Sequence, residues 1–491
     1  MSRQVAILGG GISGLATAEA LERRAEAAGT PLRVTVLEEG DTPGGKIQSY
    51  EKHGFVVETG PHGFLDKEPK MFELIDRLGL RDELVPANVA SARRFVARAG
   101  KLRELPHSPL HAIWSDILPL SGKLRIALEP FMSGPTDHEE SVRAFAARRI
   151  GPQAADVLVD AMVTGIYGGD PNRLSLASAF PRMFELERDH GSLFKAQFAV
   201  AKQRRAERAL AAGNGAVVPA QSGTGAPVGT LHSFRRGLGT LTRALAARVN
   251  VSCESSVQAL EAQEGKWRVR TSGETLEVDA VVSTVPSFVA QELVGPHAPA
   301  IAESIGAIHY APCSVVVQAF KQEDVARSTD GFGFLIPGRE KRDLLGSIWA
   351  STVFPVHAPE GQVMFRSMLG GRRRPELGRA SPEELAGRAR QELERWMGLR
   401  AGAEPVLEEV IPWPQAIPQY EMGHASRVEA ADEVERALPG LFLSGNAFRG
   451  VAMLACVAEA DTVSERVMSH LASLPAAPKP QLSDVAAPTP P

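Results

Sequence analysis

Apolar residues recur along this chain in two rhythms, and each change of rhythm marks an element boundary. Val5 to Leu8 is a short continuous apolar run, stopped by Gly9-Gly10-Gly11 and followed by apolar positions at helical spacing from Ile12 to about Ala27. Gly29-Thr30-Pro31 breaks that helix before a second strand at Arg33 to Leu37, so the opening reads as a βαβ unit. From about Glu68 to Arg208 the helical rhythm dominates, as in Met71-Phe72-Leu74-Ile75-Leu78 and Val142-Phe145-Ile150, and predicts a helical insertion. Short alternating runs at Val249–Val257, Trp267–Thr271 and Leu276–Ser283 predict an antiparallel layer. A strand-rich block follows from Ser314 to Met368, then a helix at Pro382–Trp396, a strand near Leu441–Ser444 and a last helix from about Val451 to Leu471. Residues Ala209 to Gly229, rich in Ala, Gly, Ser and Pro, predict a mobile loop, and the proline-rich tail after Ser473 predicts disorder. No internal repeat is visible.

A length of 491 residues with 44% hydrophobic content exceeds one ordinary domain and predicts two or three. The net charge of −4, with no strongly basic segment, gives no electrostatic reason for nucleic acid binding. The three cysteines, Cys253, Cys313 and Cys456, show neither disulfide nor zinc spacing and suit a reducing, cytoplasmic compartment. The first apolar run is too short for a secretory signal. No uninterrupted apolar stretch reaches the roughly 18 to 20 residues of a spanning helix. Leu110 to Met132 is nonetheless rich in Leu, Ile, Trp and Phe, with Trp114, Ile117, Leu118, Leu120, Phe131, Lys123 and Arg125 suited to peripheral docking on the inner face of the cell membrane.

Gly9-Gly10-Gly11-Ile12-Ser13-Gly14 is a G-x-G-x-x-G between a strand and a helix, where backbone N–H groups can hold a pyrophosphate. An ordinary glycine turn would not predict an acidic residue ending the second strand, yet Glu38 stands there, followed by Glu39. A carboxylate at that point accepts from ribose hydroxyls and repels a 2′-phosphate, so FAD or NAD fits better than NADP. The histidines are scattered singly and no metal site is expected. No Ser/His/Asp or Cys/His arrangement and no obvious catalytic acid or base is found.

Asp41-Thr42-Pro43-Gly44-Gly45-Lys46, Glu58-Thr59-Gly60-Pro61-His62-Gly63 and Leu438 to Asn446, the last carrying Ser444-Gly445-Asn446, resemble the cofactor segments of amine-oxidase-like flavoproteins. Within that superfamily, Gly165-Ile166-Tyr167-Gly168-Gly169-Asp170, Gly331 to Pro337 and Ala416-Ile417-Pro418-Gln419-Tyr420 resemble the protoporphyrinogen oxidase family, with similarity from about residue 4 to about residue 471. The resemblance implies non-covalent FAD, held by Gly9 to Gly14, Glu38, Glu39, Gly45, Lys46, Gly60, Pro61, His62, Gly63, Trp413, Gly445, Asn446, Val451, Ala452 and Met453, with the backbone of Val257 at the adenine. It implies a tetrapyrrole between Phe332, Leu335, Met368 and Ile417, a carbonyl near Gly169 facing the pyrrole N–H groups, and Arg94 pairing with a carboxylate.

The fold it implies is a multidomain α/β and α+β chain. A Rossmann-like FAD-binding domain (1–92, 230–305 and 412–473) accompanies an antiparallel-sheet substrate domain (306–411) and a helical membrane-associating domain (93–210), with a flexible loop at 211–229 and a disordered tail at 474–491. The implied reaction is the six-electron oxidation of protoporphyrinogen to protoporphyrin, with hydride passing to the flavin and oxygen reoxidising it to give hydrogen peroxide. Coproporphyrinogen oxidation, amine oxidation and a flavin-binding scaffold without turnover stay open as alternatives, and a homodimer is compatible with the family. Near the C-terminus, Val451 to Val457 lacks the polar residue usual before the cysteine, and Ala460 stands where a glycine is usual.

Overall fold

The computed structural model describes residues 2–196, 199, 202 and 229–475. The loop expected at 211–229, apart from Gly229, and the tail expected at 474–491, apart from its first two residues, lie outside the described residues. The expected opening is present: strand Arg3–Leu8, helix Ile12–Ala27 and strand Leu32–Leu37. These two strands occupy the middle of a five-stranded parallel sheet in the order Val251–Ser252, Leu32–Leu37, Arg3–Leu8, Ala280–Ser283, Leu441–Leu443. Val5 to Leu8 and Ala280 to Ser283 are buried throughout, because a parallel sheet is covered on both faces and needs no polar side.

One cover is helical. Met453–Ser473 turns Cys456, Val457, Ala460, Val463, Val467 and Leu471, a three- and four-residue spacing, into the core shared with Leu15, Ala18 and Leu21 of the first helix. Ala460 is 2% exposed in this packing, so the small side chain in place of a glycine is accommodated. The other cover is the antiparallel sheet Val257–Gln263, Lys266–Thr271, Thr275–Val278, whose Trp267 and Val269 pack on Ala6 and Leu8. The strands expected at Val249–Val257 and Leu276–Ser283 are therefore each split between two sheets. The second split has a visible cause: the Asp279 carboxylate accepts from the Gln4 N–H at 2.8 Å and from Arg3 at 3.1 Å, which starts the parallel strand one residue later.

The second body of structure is a seven-stranded sheet in the order Leu407–Ile411, Cys313–Lys321, Gln362–Gly370, Leu344–Trp349, Gly333–Leu335, Phe95–Arg98, Lys101–Glu104. Every pairing is antiparallel except that of Gly333–Leu335 with Phe95–Arg98. The last two strands correct the mostly helical reading of 68–208 and the helical domain expected to begin at residue 93. Phe95 packs on Trp349 at 5.2 Å, and Ala99 and Gly100, both at positive φ, close the two-residue hairpin between them. Helices do fill much of 109–190, including Pro109–Trp114, Leu120–Ala127, Val142–Ile150 and Asp160–Tyr167. Ser141 caps the third of these, its hydroxyl accepting from the Ala144 N–H at 3.2 Å.

Ile117 and Leu118, expected on an exposed docking face, are 2% and 4% exposed and pack with Val96, Val157 and Ala161. The exposed apolar side chains of that region are Ile113, Trp114, Leu120, Leu124, Leu128 and Phe131. Lys123 and Arg125 are engaged with the carbonyls of Ile113 and of Arg148 and Arg149. No helix among the described residues is long and apolar enough to cross a membrane.

Candidate functional site: a flavin pocket and its substrate wall

The glycine turn is shaped by close approach. A Cβ at Gly14 would lie 2.0 Å from the Gly9 carbonyl oxygen, and Gly9 itself has φ +97°. A Cβ at Gly11, by contrast, would meet nothing within 4 Å. That open space lies at the N-terminus of helix Ile12–Ala27, whose cap residue is Gly11 and whose first turn, beginning with Ile12 and Ser13, carries no acidic side chain. Its free N–H groups fit a pyrophosphate. The Glu38 carboxylate is fixed beside it, accepting from the Gly10 N–H at 2.7 Å and the Gly40 N–H at 2.9 Å. The Glu38 backbone bonds to Ser252 and Ser255, and so draws the start of strand Val257–Gln263 to the same end of the pocket. Glu39 points to solvent. Gly44 donates to the Gly10 carbonyl at 2.8 Å, and a Cβ at Gly45 would sit 3.3 Å from the Gly11 Cα, so the Gly44-Gly45-Lys46 segment closes over the turn.

From Lys46 the pocket continues to a second cluster. The Trp413 indole donates to the Thr59 carbonyl at 2.8 Å, and the Lys46 ammonium lies 5.7 Å from the Trp413 ring. Burial lowers the pKa of that ammonium. A Cβ at Gly60 would be 2.0 Å from the Lys46 carbonyl, so only glycine lets these two strands of backbone meet. Past Pro61, His62 is buried between Phe354 and His357, with neither ring nitrogen hydrogen-bonded among the described residues. Burial, the Arg366 charge and His357 push its pKa well below the usual range, so the ring is neutral. Gly63 backs onto the His232 carbonyl.

Gly445 adopts φ +103° against the Thr284 carbonyl, while the Asn446 carbonyl accepts from the Tyr420 hydroxyl at 2.7 Å. Tyr420 is stacked on His424 at 4.0 Å, and burial lowers the pKa of that imidazole to about 4. The last helix begins at Met453, with Ala452 as its cap and Val451 in the preceding bend, two residues later than the sequence predicts.

The substrate residues expected from the family form the wall beyond. Phe332, Leu335, Met368 and Ile417 are each half-buried while many of their strand neighbours are buried. The Arg94 guanidinium lies 5.3 Å from the Phe332 ring, and burial lowers its pKa. It makes no ion pair among the described residues, whereas its neighbour Arg93 pairs with Glu104 at 2.8 Å and Asp330 at 2.9 Å. The Gly168 carbonyl accepts from the Arg372 N–H at 2.7 Å, and Gly169 packs against Gln419, whose amide donates to the Tyr167 carbonyl at 2.8 Å. Ile417 approaches Gly168 at this point, and Leu335 meets Gly165 on the preceding helix.

Two residues escape the sequence reading. Gln419, with its Oε1 buried and unpartnered among the described residues, supports the Gly168-Gly169 corner. Arg366 is the lone cation in the apolar run Val363 to Leu369, and that anomaly was the available signal. Two surface hollows, of about 400 Å³ beside Gly100 and Arg395 and about 140 Å³ beside Ala16 and Arg77, contain none of the expected site residues.

Over residues 12–468 the chain matches the family of flavin containing amine oxidoreductases. It is 32% identical over 95% of its length to a chloroplastic protoporphyrinogen oxidase of Nicotiana tabacum, covering 85% of that protein. It is 28% identical over 96% of its length to a coproporphyrinogen III oxidase of Staphylococcus aureus, covering all 100% of it. A solved Exiguobacterium protein assigned provisionally as a protoporphyrinogen oxidase superposes with a TM-score of 0.79 over 96% of this chain and 99% of its own, at 24% identity.

Proposed function

The chain belongs to the flavin containing amine oxidoreductases and is a flavoprotein oxidase of the porphyrin pathway; we propose that it oxidises protoporphyrinogen IX to protoporphyrin IX, with non-covalent FAD and oxygen as acceptor. The observation that carries the reading is the half-buried Arg94, without an ion-pair partner among the described residues and 5.3 Å from the Phe332 ring, together with the half-buried Leu335, Met368 and Ile417 as an apolar wall. That wall suits a flat apolar ring system bearing a carboxylate. FAD is supported by the open space at Gly11 with Glu38 beside it, which suit a pyrophosphate and an adenosine ribose. Non-covalent attachment is supported by the cysteines: burial raises the Cys313 thiol to about 11 and raises Cys456 and Cys253 as well, which leaves little thiolate.

Bound there, the flavin would supply hydride acceptance, three times per substrate, with three oxygen molecules reduced to hydrogen peroxide. The protein's part is positional. Phe332, Met368 and Ile417 exclude water from the ring, Arg94 fixes its register, and the Gly168-Gly169 corner presents backbone oxygen to pyrrole N–H groups. No side-chain base is required, because pyrrole nitrogens stabilise the positive charge left when hydride departs. The test is a visible spectrum of purified protein followed by aerobic addition of protoporphyrinogen. Flavin absorbance, rising porphyrin fluorescence and peroxide are expected; a colourless protein or absent porphyrin defeats the reading.

Coproporphyrinogen III is the second reading, favoured by the S. aureus relative and by Lys67, an exposed cation whose pKa is lowered by desolvation and by the Arg94 charge against the opposing pull of Asp66. A second cation at that end suits a substrate with four carboxylates, and comparing kcat/KM on both porphyrinogens decides. The poorly soluble product gives peripheral docking on the inner membrane face a purpose, with Trp114, Leu120, Leu124 and Phe131 as the docking side chains. Trp114→Ser with Phe131→Ser should abolish binding to anionic vesicles with the flavin spectrum unchanged; wild-type vesicle binding by this double variant removes the patch from that role.

A further inference from the structure

One cation in the interior has no counter-charge. Arg366, in the middle of strand Gln362–Gly370, is 5% exposed and forms no ion pair among the described residues. Its guanidinium reaches the Gly60 carbonyl, and its Nε has no partner among the described residues. Arg149, also buried, shows the usual solution: Glu129 pairs with it directly and the Ser133 carbonyl accepts at 2.7 Å. An unpaired buried guanidinium is strongly unfavourable unless something anionic arrives to meet it. The carboxylate nearest to that role, Glu58, is occupied elsewhere, accepting from the Ser49 hydroxyl at 2.6 Å and the Leu238 N–H at 2.8 Å. Burial also raises its pKa to about 7, so it is only partly charged at neutral pH.

Position says what could arrive. Side chains alternate along a strand, so Met364, Arg366 and Met368 share a face. Met364 packs with Phe55 and Val57, whose strand runs on into Thr59 and Gly60, and Met368 belongs to the substrate wall. Arg366 therefore stands between the backbone of the flavin segment and the wall on which substrate lies, within the same pocket as Trp413 and Lys46.

We propose that Arg366 is the counter-charge for the reduced, anionic form of the flavin, and so sets the cofactor's reduction potential. The proposal rests on reading this pocket as a flavin site. A flavin that takes up hydride gains negative charge, and a guanidinium already desolvated beside it stabilises that form more than the neutral oxidised one. Holding the Gly60 carbonyl alone would need only a neutral donor.

The test is the two-electron potential of the purified holoprotein, measured by equilibrium titration against a reference dye, in wild type and in Arg366→Met, Arg366→Gln and Arg366→Lys. Loss of charge in the Met and Gln variants should weaken binding of the reduced form relative to the oxidised form about tenfold, a fall of about 30 mV, with Lys retaining most of the wild-type value. An unchanged potential in both neutral variants overturns the proposal and leaves Arg366 as an anchor for Gly60. If Arg366→Met fails to fold, Arg366→Gln decides, since its amide keeps an N–H for the carbonyl without the charge. Loss of oxidised FAD by Arg366→Gln also overturns the proposal, because the charge would then shape the pocket rather than answer the reduced cofactor. Wild-type protein that holds no flavin breaks the underlying site reading; a variant that keeps its flavin at the wild-type potential breaks only this inference.

Discussion

At the glycine turn most contacts are made by backbone from residues 9–45, and the side chains involved are satisfied: Glu38 has both carboxylate oxygens hydrogen-bonded, and the Thr284 hydroxyl donates to the Leu8 and Gly9 carbonyls at 2.8 and 3.1 Å. Beneath Trp413 the opposite holds: side chains from separated segments converge, and Arg366 and His62 keep buried polar atoms unpartnered among the described residues. The glycine turn is thus closely packed and should fail by steric clash. The cluster beneath Trp413 is electrically unfinished, and should fail by charge.

The steric half is tested most severely at Gly14, where an added methyl meets the Gly9 carbonyl 2.0 Å away. Gly14→Ala should cost about 3 kcal/mol or more in melting experiments and yield protein without flavin. Gly11→Ala, whose methyl enters open space, should melt within about 0.5 kcal/mol of wild-type apoprotein and still lose FAD, because it fills the space of the phosphates. Equal melting of the two variants would end the distinction.

The electrical half is tested next by Glu58, whose pKa is raised from 4.5 to about 7 by burial. An acid held tighter by the folded state stabilises it below the unfolded pKa, and that contribution is lost as pH rises through the folded one. The advantage of wild type over Glu58→Gln should therefore shrink by roughly 3 kcal/mol between pH 4.5 and 7 and stay constant above. A difference that does not vary with pH would show that Glu58 titrates normally.

Two smaller effects sharpen the contrast from either end. Glu38→Ala removes charge-assisted hydrogen bonds to a ribose worth about 1.5 to 3 kcal/mol, so FAD should bind about ten- to a hundredfold more weakly, and loss of the acceptor for the Gly10 and Gly40 N–H groups should lower apoprotein stability by about 1 to 3 kcal/mol. Undiminished FAD retention on dilution would take Glu38 out of the site. Arg94→Ala should lower kcat/KM about five- to 150-fold, mainly through KM, because a carboxylate anchor remote from the reacting carbon binds ground and transition states alike. Lysine should rescue only part, lacking the planar fork. With esterified propionates, wild type and variant should converge; an equal loss on the ester would return Arg94 to simple packing against Phe332.

What could be read from sequence follows the same division. The strand, turn and helix from Arg3 to Ala27 are local, and their observed bounds agree with the apolar rhythm to within two residues. Phe95–Arg98 and Lys101–Glu104 are strands too short to show alternation; the first pairs with Gly333–Leu335, more than 200 residues away, and the second joins the sheet only through its hairpin with the first. Ile117 and Leu118 were misassigned to the surface because the region is two helices separated by Ser115 to Pro119, not one, so no single helical phase spans it. Arg366 stayed hidden because a lone arginine in an apolar strand reads the same whether it ends in solvent or against a carbonyl; only the sheet register puts it opposite Val317 and Ile348.

The parallel sheet takes its strands from both ends of the chain, and its edge strand Leu441–Leu443 precedes the helix that covers the first βαβ unit. The glycine turn and the helix that covers it, Met453–Ser473, are more than 400 residues apart in sequence, so the turn is synthesised well before its cover. A polypeptide that stops before Met453 therefore leaves the Ile12–Ala27 helix with an uncovered apolar flank, so the order of synthesis separates the glycine turn from the surface that steadies it.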